Sequence, residues 1–212
     1  MRITLFDNHD SFTWNLAHDL EREGVQVTVV RDGDWTNDLW GSTDALVLSP
    51  GPGLPEEHPQ LQGVIEEALK RGVPVLGVCL GMQALALHFG ARLQNLEMPL
   101  HGRATEARWS LDGLDEAPLV SMWENAKNPL QIGHYHSWIV DESSLPEQLH
   151  VNARNSQGLP MAFLHRSLPV AGVQFHPESV LTPEGQTLLQ GWISAAQRCL
   201  AISASNVSLN FS

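Results

Sequence analysis

The sequence is poor in cysteine, in basic residues and in long apolar runs, and each shortage excludes something. Two cysteines in 212 residues cannot build a disulfide framework, which points to a reducing compartment. Lys and Arg number 12 against 24 Asp and Glu, a net charge of −12. Such a surface repels phosphate backbones, so nucleic acid is not an expected partner; it suits small-molecule chemistry or docking of another protein. No stretch approaches the roughly 20 apolar residues of a membrane span. The strand-like Ile3-Thr4-Leu5-Phe6 follows Met1-Arg2 directly, which sets the expectation of no signal peptide and a cytoplasmic protein. One tyrosine stands beside seven tryptophans, an imbalance to which we attach no function. There is no internal repeat and no linker long enough to separate a second domain from the first. With 42% hydrophobic residues, a single α/β domain over residues 1–200 is expected, and the uncharged, Ser-rich 201–212 reads as a flexible tail.

The first ninety residues alternate between strand and helix signals. Ile3 to Phe6, Val25 to Val30, Ala45 to Leu48 and Val75 to Val78 are short apolar runs. Between them Phe12, Leu16 and Leu20 fall at helical spacing, with Asp10 or Ser11 as cap and Gly24 as stop. Leu61, Val64, Ile65, Ala68 and Leu69 form a second amphipathic stripe. Near-continuous apolar strands alternating with helices predict a three-layer α/β fold: a mostly parallel central sheet with helices on both faces. The loops at 7–11, 49–55 and 77–81 all follow strands and should open on the carboxyl edge, where such sheets keep their reactive groups. From about 91 to 175, short strand candidates (Thr105–Trp109, Leu119–Trp123, Trp138–Val140, Leu149–Ala153, Met161–Leu164, Val170–Phe175) predict an antiparallel extension. A last helix is expected from Thr182-Pro183, burying Leu188, Leu189, Trp192, Ile193 and Ala196.

Chemistry concentrates in Gly77-Val78-Cys79-Leu80-Gly81. A strand leads in and a helix leads out, so one thiol is presented on a sharp turn, as in a nucleophile elbow. The helix start aims free N–H groups at the sulfur, which favours thiolate. Taken alone, the pentapeptide fits a buried Cys in a Gly-rich turn equally well. A cysteine nucleophile needs a base and the base an orienter. His176 and Glu178, two apart at the end of the strand candidate Val173 to Phe175, offer both. Backbone N–H groups of Leu80 and of Gly53, in Pro50-Gly51-Pro52-Gly53, are the candidate oxyanion donors. By itself that tetrapeptide reads as a rigid surface turn; beside the elbow it reads as belonging to a site.

Six blocks together resemble the class I (triad) glutamine amidotransferases, and most closely the small subunits of anthranilate synthase and aminodeoxychorismate synthase. They are Asp7 to Leu16, Ser49 to Gly53, Gly77 to Gln83, His101-Gly102-Arg103, Tyr135-His136-Ser137 and Gly172 to Ser179, in family order over roughly 1–195. The resemblance implies that family's flavodoxin-like fold and a Cys79–His176–Glu178 triad hydrolysing L-glutamine to glutamate and ammonia. It implies that Gly51, Pro52, Gly53 and Gln83 hold glutamine, and that the backbone of Ser137 and Trp138 meets its α-carboxylate and α-amino end. It implies no cofactor or metal in this chain, a chorismate-binding synthase subunit as partner, and Mg2+ in that partner. The Asp7–Leu16 block is similar to the mark of the chorismate-using subfamily and is expected to face the partner. The pathway, tryptophan or folate or both, stays open. A stand-alone γ-glutamyl hydrolase and a catalytically silent subunit are the other readings; the first needs no Asp7–Leu16 block, and the intact Cys79, His176 and Glu178 speak against the second.

Three positions depart from the family pattern: Met82 stands where His is frequent, Trp138 where Leu is frequent, and His134 where many members carry Arg. Loss of that fixed charge is expected to bear on partner docking. His134 and His136 resemble a metal-ligand pair, but without an obvious third ligand they read as loop histidines near a pocket. Cys199 reads as an incidental thiol. Asn206-Val207-Ser208 has the glycosylation pattern, in a chain with no sign of secretion.

Overall fold

In the computed structural model, which describes the backbone of residues 1–209 and the side chains of residues 1–205, strand and helix alternate through the first half of the chain. β1 (Arg2–Asp7), α1 (Thr13–Glu21), β2 (Gln26–Arg31), β3 (Ala45–Leu48), α2 (Leu61–Lys70), β4 (Val75–Val78) and α3 (Leu80–His88) follow in order. Then come five strands, β5 (Arg92–Trp109), β6 (Leu130–Asp141), β7 (Leu149–Asn155), β8 (Pro160–His165) and β9 (Val170–Val173), and the last helix, α4 (Gly185–Leu209). All nine strands join one sheet in the order β2-β1-β3-β4-β9-β8-β7-β5-β6. The pairs from β2 to β9 are parallel and those from β9 to β6 antiparallel. The expected parallel sheet with an antiparallel extension is therefore what forms.

The parallel strands feed two cores. Along β3, Ala45 and Val47 enter one and Leu46 and Leu48 the other, the two-residue alternation of a pleated strand. Leu16 and Leu20 of α1 close the first core with Leu189 and Trp192 of α4; Leu61 and Ile65 of α2 close the second with Leu85 of α3. Helices thus cover both faces, which explains why β3 and β4 contain only buried residues.

Several elements differ from the sequence expectation. Residues 119–123, expected as a strand, end in a 3₁₀ turn at Val120–Trp123 that buries Met122 and Trp123. The short strands expected at 105–109 and 138–140 are the ends of β5 and β6, of 18 and 12 residues. The last helix starts at Gly185 rather than Thr182, because Thr182 Oγ1 instead accepts from Gly133 N–H of β6 at 2.9 Å. Beyond residue 200, read as tail, α4 runs on to Leu209; residues 210–212 lie outside the described residues. Among the described residues no helix is long and apolar enough to cross a membrane.

Candidate active site

The elbow at Cys79 is a strained turn. Cys79 has φ 53° and ψ −103°, in a region side-chain-bearing residues avoid. Two glycines permit it. A Cβ on Gly77 would lie 2.5 Å from the backbone of Gly81, and a Cβ on Gly81 would lie 2.4 Å from Leu48 O. Cys79 N–H donates to Val173 O at 2.8 Å, tying the elbow to the end of β9. Because β4 and β9 are parallel neighbours in register, Val78 opposite Val173, the loops that follow them leave the sheet side by side. That adjacency brings His176 and Glu178 to Cys79 from almost a hundred residues away.

His176 is buried against the rings of Tyr135, at 5.0 Å between centroids, and Phe12, at 5.8 Å. Its Nδ1 donates to Glu178 Oε1 at 2.7 Å, which leaves Nε2 as the free position. Nε2 makes no hydrogen bond of normal geometry, yet it lies near enough to Sγ for the charge of Cys79 to act on the ring. Burial is the largest single influence on His176 and opposes its charge. Cys79 and Glu178 together overcome burial and hold the imidazolium well above its ordinary range. A protonated imidazole ring is the form of His176 that this environment favours.

A cleft of about 140 Å³ opens beside the sulfur. Gly51, Pro52, Gly53, Cys79, Leu80, Gln83, Ser137 and Trp138 line it, so every residue singled out for the oxyanion or for glutamine meets there, with Tyr135 and His136 in addition. A second hollow, of about 410 Å³, shares Cys79, Gly51, Pro52 and Tyr135 with the first and reaches His9, Asp10, Phe12, His101 and His176. The two flank the thiol. A hollow of about 440 Å³ lies beside Trp35 and Trp40, and its walls carry no Cys, Ser, Thr, Lys or His.

Several supporting residues escaped the sequence reading. Asn8 N–H and Nδ2 donate to Ser49 Oγ and Ser49 O, each at 2.8 Å, lacing the loop after β1 to the loop after β3. His58 Nε2 donates to Pro52 O at 3.1 Å, while its Nδ1 lies 3.4 Å from Asp32 Oδ2. Gln174 Nε2 donates to Cys79 Sγ at 3.5 Å. Asn8, Ser49 and Gln174 lie inside blocks that carry the resemblance, though no contact was assigned to them; nothing in the sequence pointed to His58. As for a metal, the described residues contain no group of three or more His, Cys, Asp or Glu suited to one. All four ring nitrogens of His134 and His136 have protein partners, so the pair fits a hydrogen-bond role and not ligation. Cys199 Sγ donates to Pro118 O, far along the chain from the cleft.

A strained cysteine elbow beside a buried His–Glu pair, on a mixed sheet of this order, defines a class of protein. The sequence model for glutamine amidotransferase class-I matches residues 4–195, and the chain belongs to that family. Among its relatives is an aminodeoxychorismate synthase of Streptomyces griseus, 42% identical over 202 residues that cover 93% of this chain. The chain spans only about a quarter of that relative's length, 26%. The aminodeoxychorismate/anthranilate synthase component 2 of Bacillus subtilis is 37% identical over 201 residues, covering 92% of this chain and 97% of the relative. Among solved structures, a putative GMP synthase subunit a of Thermoplasma acidophilum superposes with a TM-score of 0.83 over 96% of this chain and 98% of its own, at 24% identity; that likeness is one of fold.

Proposed function

We propose that the chain is the glutaminase subunit of a chorismate-converting synthase. The observation that carries the reading is Cys79 on its strained elbow, sharing a hollow with a His176 whose Nδ1 is held by Glu178. In this mechanism Cys79 Sγ attacks the side-chain amide carbon of L-glutamine. The oxyanion that develops is met by the N–H groups of Gly53 and Leu80, at the cleft wall and at the first turn of α3. His176 gives its Nε2 proton to the departing nitrogen, so ammonia leaves and a γ-glutamyl thioester remains. Water then attacks the thioester, giving a proton to His176; the C–S bond breaks, glutamate departs and the thiolate is restored. Glu178 keeps Nδ1 protonated throughout, so Nε2 is the only ring position that exchanges protons. Gly51, Pro52, Gly53 and Gln83 hold the substrate, with the backbone of Ser137 and Trp138 at its α-carbon end.

The relatives named component 2 support a partner that binds chorismate and uses the ammonia. Trp14, 57% exposed on α1, and Val180, 92% exposed just after Glu178-Ser179, flank the segments that bring Phe12 and His176 to the cleft. Mg2+ belongs, in this reading, to the partner. Relatives carrying both synthase names leave anthranilate and aminodeoxychorismate as alternative products.

A glutamine-like diazo ketone should label Cys79 stoichiometrically. Cys79→Ala should abolish glutamine-dependent synthesis by the complex while synthesis from added ammonium survives. Loss of both, or an unlabelled wild type, would contradict the reading.

A further inference from the structure

Strand β6 carries His134 and His136, both buried, outside the reacting atoms. Thr105 Oγ1 on β5 lies 2.7 Å from His134 Nε2, His134 Nδ1 lies 3.1 Å from His136 Nε2, and His136 Nδ1 lies 3.1 Å from Trp138 O. The last bond fixes the direction of all three. A carbonyl oxygen only accepts, so His136 Nδ1 carries the hydrogen. Burial first, then the nearby charge of His176, pushes His134 down to about 4. Burial and His134, opposed by the bond to Trp138, push His136 down to about 3. At neutral pH each ring therefore has a single hydrogen. His136 Nε2 is bare and accepts, so His134 Nδ1 donates; His134 Nε2 is bare in turn, so the Thr105 hydroxyl donates.

The far end of this chain reaches the site. Trp138 O also accepts from Gln83 Nε2 at 2.8 Å, which uses its second lone pair. The other hydrogen of Gln83 Nε2 goes to Gln174 Oε1 at 3.2 Å, and Gln174 Nε2 donates to Cys79 Sγ. With both amide hydrogens spent inside the protein, Gln83 keeps Oε1 as its acceptor for a ligand in the cleft.

We propose that Thr105, His134 and His136 form a one-directional hydrogen-bond strut that fixes the Trp138 carbonyl and, through it, the cleft wall at Gln83; Thr105 and His134 are positioning residues for the amide substrate. The positioning role rests on the glutaminase reading above; the strut does not. Sequence alone showed His134 as a missing Arg and as a loop histidine near a pocket, with no partner assigned to its ring. Its ring does what a guanidinium cannot, since Arg has no acceptor to take the Thr105 hydroxyl and also pass a directed bond onward.

Histidine-detected ¹⁵N NMR on the full chain at pH 7 reads the strut directly, through which ring nitrogen of each histidine carries hydrogen. Both His134 and His136 should be in the Nδ1–H form, the minor form of free neutral imidazole. Thr105→Val keeps the side-chain shape and removes the hydroxyl; His134 should stay in the Nδ1–H form that the bare His136 Nε2 demands, its own Nε2 should shift toward the frequency of an unbonded nitrogen, and KM for glutamine should rise about 3- to 10-fold, the worth of one hydrogen bond. kcat should stay within about twofold, because the thiol and its base are untouched. Thr105→Ser should restore both readouts. Either ring protonated at Nε2 in the wild type would overturn the strut. Altered rings with unaltered KM in Thr105→Val would overturn the positioning role. An inactive wild type with both rings in the Nδ1–H form would sink the glutaminase reading and leave the strut standing.

Discussion

The proton on His176 is held by two charges against burial, and that balance can be tipped one side chain at a time. Glu178→Gln removes one of the two and keeps the shape. Burial, already the largest influence on the ring, then wins at a lower pH, and the thiolate loses its counter-ion. We expect kcat/KM for glutamine to fall by roughly 10²- to 10⁴-fold, as when a comparable orienting carboxylate is neutralised. Alkylation of Cys79 at pH 6 should slow by about tenfold or more, since the thiolate is the reacting species; an unchanged alkylation profile would remove Glu178 from this role. At this scale the sequence was legible where a conformation demands a composition. The Gly-x-Cys-x-Gly turn needs small residues at 77 and 81, and the hydrogen-bonded pair His176 and Glu178 stands two apart in the sequence. The contacts of Gln174, His58 and Thr105 were not legible, because what they touch depends on which loops and strands lie side by side. Nothing local to Thr105 says that His134 is its diagonal neighbour across β5 and β6.

Elements differ in how much room they leave, and glycine substitutions measure it. Gly81 sits at the start of α3, where a Cβ would meet Leu48 O, a backbone atom of a fully buried strand that cannot retreat without breaking its pairing. Gly81→Ala should therefore destabilise by about 1–3 kcal/mol or more and depress diazo ketone labelling of Cys79, since the elbow must shift. Gly63 in α2 has nothing within 4 Å of its missing Cβ. Gly63→Ala should stabilise by about 0.5–1 kcal/mol. Urea midpoints of the two variants should move in opposite directions; equal shifts would mean that α3 is not clamped against β3. The same contrast explains which elements could be read in advance. β1, β3, β4 and α2 bury a whole face or both, so burial imprints apolar runs and stripes. β5 buries only Ala107, and its register slips between Asn95 and Leu100 and again between His101 and Arg103. Backbone pairing rather than burial holds it, and an irregular, exposed strand carries no periodic signal. The 119–123 segment failed for the opposite reason: a short apolar run signals burial without saying whether a strand or a turn delivers it.

At the scale of the whole molecule, the two cores and the carboxyl-edge site were both implied by strand–helix alternation, whereas the buried histidines were not, and they shape how the fold responds to acid. His134 and His136 are neutral when folded, with values of about 4 and about 3 against 6.5 for an unperturbed ring. Below pH 6.5 the unfolded chain takes up these protons and the folded chain does not, so the unfolded state gains. Their contribution to stability is thus intact above about pH 6.5 and is lost as pH falls toward 4, with a slope of up to about 1.4 kcal/mol per pH unit for each ring. His165, lowered by burial, acts in the same direction. His176 acts in the opposite sense: its raised value stabilises the fold fully below 6.5 and fades only as pH rises through that value, so it adds nothing to the acid-side loss. Carboxylates also titrate on the acid side, but they are common to a variant and its parent. His134→Asn keeps a donor near the place of Nδ1 and cannot take up a proton. Urea unfolding of both proteins at steps from pH 7 to 4.5 should show the wild type losing stability faster, the gap widening by up to about 1.4 kcal/mol per unit. Parallel curves would mean that His134 is not held neutral by burial, and the direction of the Thr105–His134–His136 chain would go with it.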